Sequence, residues 1–146
     1  MISERFARLK EEMNIKYNHI SKVLIQLVEK LNKILPPITL ADSVKIITYE
    51  WYEGGNVHRY SWIKWYIVDG KIFFLANTLY SGMSDYTIDA KEEIEKLSKD
   101  RNYKALHGIA QRLPVFLEEA LTYAERENMK LDETLTKLKV ILQILK

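Results

Sequence analysis

The chain contains no cysteine. Disulfide staples, thiolate zinc sites and cysteine nucleophiles are therefore excluded, and thiols say nothing about redox compartment. Glycine and proline are scarce, at 5 and 3 residues of 146, which excludes collagen-like and low-complexity chains. Neither sign of charge dominates: 22 basic against 20 acidic side chains leave +2, too little for a global nucleic-acid footprint. No apolar run approaches the roughly 18 residues of a membrane span, so no membrane association is expected. The opening residues Met1-Ile2-Ser3-Glu4-Arg5 are polar and lack an apolar signal core, and no Asn-x-Ser/Thr acceptor occurs. Both point to an intracellular, cytoplasmic protein.

Catalytic signatures are missing as well. His19, His58 and His107 are scattered without metal-ligand spacing, and no HExxH, Walker loop, GxGxxG or GxSxG occurs. The acidic runs Glu92-Glu93-Glu95 and Glu118-Glu119 read as solvated helix faces, and Glu50 beside Arg59 reads as a cross-strand ion pair. The expectation is a protein that is not an enzyme and holds no metal and no cofactor.

What is present is a chain of 47% hydrophobic and 29% charged residues, the size of one compact domain over 1–146. Its many Lys and Glu side chains are compatible with a thermophilic source. Residues 3–35 read as one long helix with Ser3 as N-cap, a stripe through Met13, Tyr17, Ile20, Leu24, Leu27, Leu31 and Ile34, and a stop at Pro36-Pro37. Residues 44–88 read as an antiparallel meander of three to four strands. Val44–Tyr52 and Val57–Val68 flank a Gly54-Gly55 turn, Asp69-Gly70 makes a type I′ hairpin into Lys71–Asn77, and a weaker fourth strand lies within Leu79–Ile88. Residues 89–146 read as helices: one from Ala90 to Lys99 capped by Asp89, one from Tyr103 to Leu113, and a third opened by Pro114. Helix, meander and helices in that order predict an α+β fold.

The last of these segments carries a sustained heptad. Leu121, Asn128, Leu135 and Leu142 take the a positions, and Leu131, Leu138 and Leu145 take d positions. A lone polar residue at a sets register and a two-stranded state, so the stripe predicts a zipper-like homodimer contact. The same stripe also suits a helix packed on its own domain against the first helix, and Asn128 with Asp132 suits a turn between two helices.

The aromatic residues concentrate in the strands. Pairing outward from Gly54-Gly55 places Trp51 opposite His58, Tyr49 opposite Tyr60 and Ile47 opposite Trp62. One face then carries Lys45, Tyr49, Trp51, Tyr60, Trp62, Lys64, Tyr66, Phe73 and Leu75. The other carries the aliphatic set Val44, Ile46, Ile63, Ile67, Ile72 and Phe74, ordinary material for packing on helices. An aromatic surface with interspersed cations is what single-stranded nucleic acid uses, since every base has a π-face and lysines meet phosphates. The candidate stackers are Tyr49, Trp51, Tyr60, Trp62 and Tyr66. The candidate phosphate partners are Lys45 and Lys64, with Arg59 or Lys71 at the rim. Core packing explains aromatics equally well, but interspersed lysines do not suit a core. A one-residue slip in register would exchange the two faces.

The segments Tyr49-Glu50-Trp51-Tyr52 and Tyr60-Ser61-Trp62-Ile63-Lys64-Trp65-Tyr66, with the Leu131, Leu138, Leu145 series, give a layout that resembles the Thermo-DBP proteins. These are single-stranded DNA-binding proteins of hyperthermophilic archaea, with relatives that bind RNA. The resemblance covers nearly the whole chain and implies a non-OB fold, an aromatic and basic cleft for single strands, and dimers or higher oligomers. The expected function is sequence-tolerant binding of single-stranded DNA or RNA by a homo-oligomer. The alternative is a protein–protein interaction or regulatory module that uses the aromatic face and the C-terminal helix as interfaces.

Overall fold

In the computed structural model, residues 1–77 and 84–146 are described, and of residues 53 and 57–59 the backbone alone. Eight elements follow in order: α1 (Ile2–Ile34), β1 (Leu40–Ala41), β2 (Ile46–Glu53), β3 (Asn56–Val68), β4 (Lys71–Asn77), β5 (Tyr86–Asp89), α2 (Ala90–Lys99) and α3 (Tyr103–Ile144). The fold is α+β, a five-stranded antiparallel sheet with a long helix before it and helices after it. No helix among the described residues is long and apolar enough to cross a membrane.

The thirteen-residue β3 organises the sheet. Its first half pairs with β2 and its end with the short β1, while β4 and then β5 add on its other edge. Both hairpin turns take positive φ at their central residues, Gly54 and Gly55 in one, Asp69 and Gly70 in the other, as a type I′ turn requires. At Gly70 space is limiting too: a Cβ there would lie 3.0 Å from the Pro36 carbonyl oxygen. Because β4 ends at Asn77, opposite Trp62, the β2–β3 hairpin runs past it as a two-stranded arm among the described residues.

All three helices pack on the face carrying Ile63, Trp65, Ile67, Ile72, Phe74 and Ala76. Leu24, Val28 and Leu31 of α1, Ile94 and Leu97 of α2, and Leu106, Ile109, Leu113 and Phe116 of α3 complete this core. The aliphatic face read from the sequence is therefore the covered one. Helix α3 crosses β2 at Gly108, where a side chain would press on Ile46, 3.0 Å away. Asp89 caps α2, its carboxylate accepting the Glu92 N–H at 2.9 Å.

Three expectations are corrected. Ser3 is not an N-cap; α1 begins at Ile2 with no side-chain cap. Pro114 does not open a third helix but lies inside α3, which is continuous for 42 residues, ~63 Å. The missing N–H costs one ladder bond, but Leu106, Ile109, Leu113, Phe116 and Ala120 are buried on both sides of it and hold the helix in line. For the same reason no turn occurs at Asn128 and Asp132. The fourth strand occupies Tyr86–Asp89, and the part of that expectation within 78–83 falls outside the described residues.

Helices α1 and α3 run in the same direction. The Tyr17 ring stacks on Tyr103 at 4.3 Å with planes 2° apart, and farther along both helices Ile20, Leu24 and Leu27 line one pocket with Ala110 and Leu113. The start of α1 and the end of α3 consequently overhang opposite ends of the domain. The α3 stripe does not pack on α1: Leu121, Leu131, Leu135, Leu138, Leu142 and Leu145 are all more than half exposed, and Asn128 is exposed with them.

Candidate functional site

The register of β2 on β3 decides which aromatic rings share a surface. The pairs nearest each end are as the turn predicts, Glu53 with Asn56 and Ile47 with Trp62. Between them lie two irregularities. One leaves Thr48 as an extra residue of β2, and the other leaves His58 as an extra residue of β3. Tyr49 therefore faces Ser61, Glu50 faces Tyr60 and Trp51 faces Arg59. Tyr49 and Trp51 are thereby moved off the face of Tyr60, Trp62, Lys64 and Tyr66 to the helix side of the sheet. In this register Glu50 does not stand directly opposite Arg59, and the Tyr52 hydroxyl donates to the Glu50 carboxylate. That bond to an anion raises the Tyr52 phenol above its ordinary value.

The remaining candidates divide cleanly. On the face without helices, Trp62 lies under two ammonium groups, with Lys45 Nζ 4.4 Å and Lys64 Nζ 5.5 Å from its ring centroid. Trp62 is only 6% exposed. Tyr66, Phe73 and Leu75 are half-buried beside it, and Tyr60 is 45% exposed on the arm. No helix among the described residues covers this surface. Lys71 is not part of it: its Nζ donates to the Asn32 carbonyl at 2.9 Å, at the C-terminal end of α1. Arg59 is placed by its backbone alone, opposite Trp51.

The Thr48 bulge has an identifiable cause. Asn102, the N-cap of α3, accepts the Ala105 N–H with its amide oxygen and donates its amide N–H to the Thr48 carbonyl at 2.9 Å. One side chain thus starts a helix and fixes an irregular strand. On the helix side this opens a cleft of about 640 Å³ between the sheet and the end of α2. Tyr49 and Tyr86 stand at its two edges, above a floor that includes the small residues Ser61 and Ala76. Glu93 and Lys96 of α2 form its back wall. Glu93 is not the fully solvated residue its acidic run suggested: it is half-buried, and desolvation first, then the nearby Asp100 charge, raises its carboxyl above the usual range against the opposing pull of Lys96.

Sequence reasoning also missed a buried ion pair. The Asp42 carboxylate, fully buried, receives Arg112 Nε at 2.8 Å and Nη2 at 2.8 Å, and Arg112 also reaches Glu119 at 2.8 Å. These bonds raise the Arg112 guanidinium further above its ordinary value. The pair locks α3 to the loop between β1 and β2 and offers no free group to a ligand. Asp42 and Arg112 lie 70 residues apart, so no local pattern could reveal them.

Among the described residues no group of three or more His, Asp or Glu side chains could hold a metal ion. No family model, curated protein or solved structure matches the chain.

Proposed function

We propose that this protein binds single-stranded DNA or RNA, with little regard to sequence, on the helix-free face of its sheet. The observation that carries this reading is Trp62 beneath Lys45 and Lys64 on a surface no described helix covers. Each exposed cation–π contact is worth roughly 0.5–1 kcal/mol. A base stacked on an aromatic ring gains about 1–3 kcal/mol, and each lysine gains a phosphate. A strand therefore competes well: the ammonium groups swing out to phosphates and the indole is uncovered for a base. Tyr60 and Tyr66 extend the platform along β3 on either side of Trp62. The layout resemblance to the Thermo-DBP proteins supports the same reading, of a cytoplasmic binding protein without catalytic chemistry.

The test is a titration with fluorescein-labelled dT oligonucleotide, read by anisotropy at several salt concentrations. Lys45→Ala with Lys64→Ala is expected to weaken binding and to flatten the log–log salt slope by about 1.4, since each lost single-strand phosphate contact contributes roughly 0.7. Unchanged affinity and slope in the folded double variant would remove the site. Binding partners that respond weakly to salt would favour the protein-interface alternative.

Self-association through the end of α3 belongs to the same proposal. Its heptad leucines are exposed along one stripe. The e positions are acidic first, Glu125 and Asp132, then basic, Lys139 and Lys146. A parallel pair would set Glu127 at g against Asp132 at e of its partner, whereas an antiparallel pair sets each acidic e against a basic one. An antiparallel dimer is therefore the arrangement proposed. Leu135→Asn with Leu138→Asn is expected to reduce the mass in solution to that of one chain, measured by light scattering.

A further inference from the structure

We infer that the cleft between Tyr49 and Tyr86 takes a guanine base. The inference rests on the nucleic-acid reading for the kind of ligand, but it concerns the opposite face of the sheet. The two tyrosines come from the two edge strands, and both are substantially exposed. The floor between them bears Ser61 and Ala76, so a flat ring meets little obstruction there. A volume of about 640 Å³ accommodates a nucleotide.

Glu93 supplies the selectivity. It lines the cleft, is half-buried, and forms no hydrogen bond or ion pair among the described residues. An ionised carboxylate is acceptor-only, with two oxygens side by side. Guanine is the one common base whose Watson–Crick edge offers two adjacent donors, N1–H and the N2 amino group. Adenine offers an acceptor at N1, cytosine an acceptor at N3, and uracil a single N–H between two carbonyls. Each of those would set a lone pair against a carboxylate oxygen, or leave one oxygen unmatched in a partly desolvated site, which is costly. Lys96, one helical turn beyond Glu93, provides a cation within the same cleft for the phosphate.

The experiment is a calorimetric titration of the full chain with GMP, IMP and AMP. GMP is expected to bind about tenfold or more tightly than AMP, the order of discrimination a good bidentate pair provides. IMP, which keeps N1–H and lacks the N2 amino group, is expected between them. Glu93→Gln, checked for a cooperative melting transition no lower than that of the parent, is expected to bring GMP to the AMP level. Tyr86→Ala is expected to weaken all three together. Equal affinity for GMP and AMP, or a GMP preference that persists in Glu93→Gln, would overturn the proposal. A dT oligonucleotide carrying one central dG separates the sources of the base: tighter binding than all-dT assigns the cleft to a base within a strand, and no gain beside a clear GMP preference assigns it to a free nucleotide. Lys45→Ala with Lys64→Ala keeps the two readings apart. Loss of dT binding with the GMP preference intact locates the platform on the open face and leaves the cleft as an independent site. Tight dT binding with no GMP preference leaves the platform and removes the cleft.

Discussion

Trp62 and Trp65 lie on the same strand and face opposite ways, and both are nearly hidden from solvent. Trp65 is hidden by a core. It is fully buried, its ring packs on Phe74 at 4.3 Å between centroids, and its Nε1–H donates to the Ile109 carbonyl at 3.0 Å. Trp62 lies on the face without helices, with the ammonium groups of Lys45 and Lys64 over its ring. The first kind of burial can be undone only by unfolding. Cover supplied by lysine side chains can be lifted by rotating them, at a cost of about 1 kcal/mol. Low exposure alone therefore does not separate a structural tryptophan from one poised for a ligand; the identity of the covering atoms does.

The contrast can be broken most forcefully at Trp65. Trp65→Ala is expected to cost about 4 kcal/mol of stability in chemical denaturation, and Trp62→Ala closer to 1 kcal/mol. Equal losses would erase the distinction. Next in size is the ion pair on the covered side. Asp42→Asn leaves Arg112 beside a neutral group in a buried setting, and is expected to cost about 3 kcal/mol, seen as a lower denaturant midpoint at unchanged slope. On the open side, Lys45→Ala with Lys64→Ala is expected to cost no more than about 1 kcal/mol. It should shift tryptophan emission to longer wavelength as the Trp62 indole is wetted, and an unshifted spectrum would mean that other atoms cover it. The smallest effect is at Glu93. Its folded-state carboxyl is raised, so its ionised form is costlier in the folded chain than in the unfolded one. Glu93→Gln is therefore expected to stabilise the protein at pH 7 by less than about 1 kcal/mol. The gain should fade as pH falls through the raised folded-state value and be gone below the ordinary carboxylate range, where both states are protonated, and thermal melts across pH would read it.

Much of the scaffold is legible locally. Asp89 marks the start of α2 because its carboxylate can reach an N–H three residues on, and Gly54-Gly55 and Asp69-Gly70 mark turns because both need positive φ. The make-up of the two faces is legible because side chains alternate along β3 and β4, but which face the helices cover is set by the tertiary fold. The site is less legible for a stated reason. Nothing within Ile46–Glu53 announces a bulge at Thr48; the group that holds it is the Asn102 amide, 54 residues later. A side chain supplied by the tertiary fold thus divides the aromatic set in two, placing Tyr49 and Trp51 on one side and Tyr60, Trp62 and Tyr66 on the other. Pro114 misleads in the same way, since its local preference for a helix start yields to a core that spans it. The cleft and Glu93 follow from the bulge and were out of reach with it.

Asn102 has one more consequence. The same amide closes the first turn of α3 and aims the residue after Thr48, so the free energy of that turn and the free energy of anything gripping Tyr49 are shared quantities. Such sharing is reciprocal. A ligand that steadies Tyr49 should slow hydrogen exchange at the Ala105 amide, and fraying of that turn should loosen the ligand by the same factor. The helix so primed ends roughly 63 Å away, at the exposed leucines.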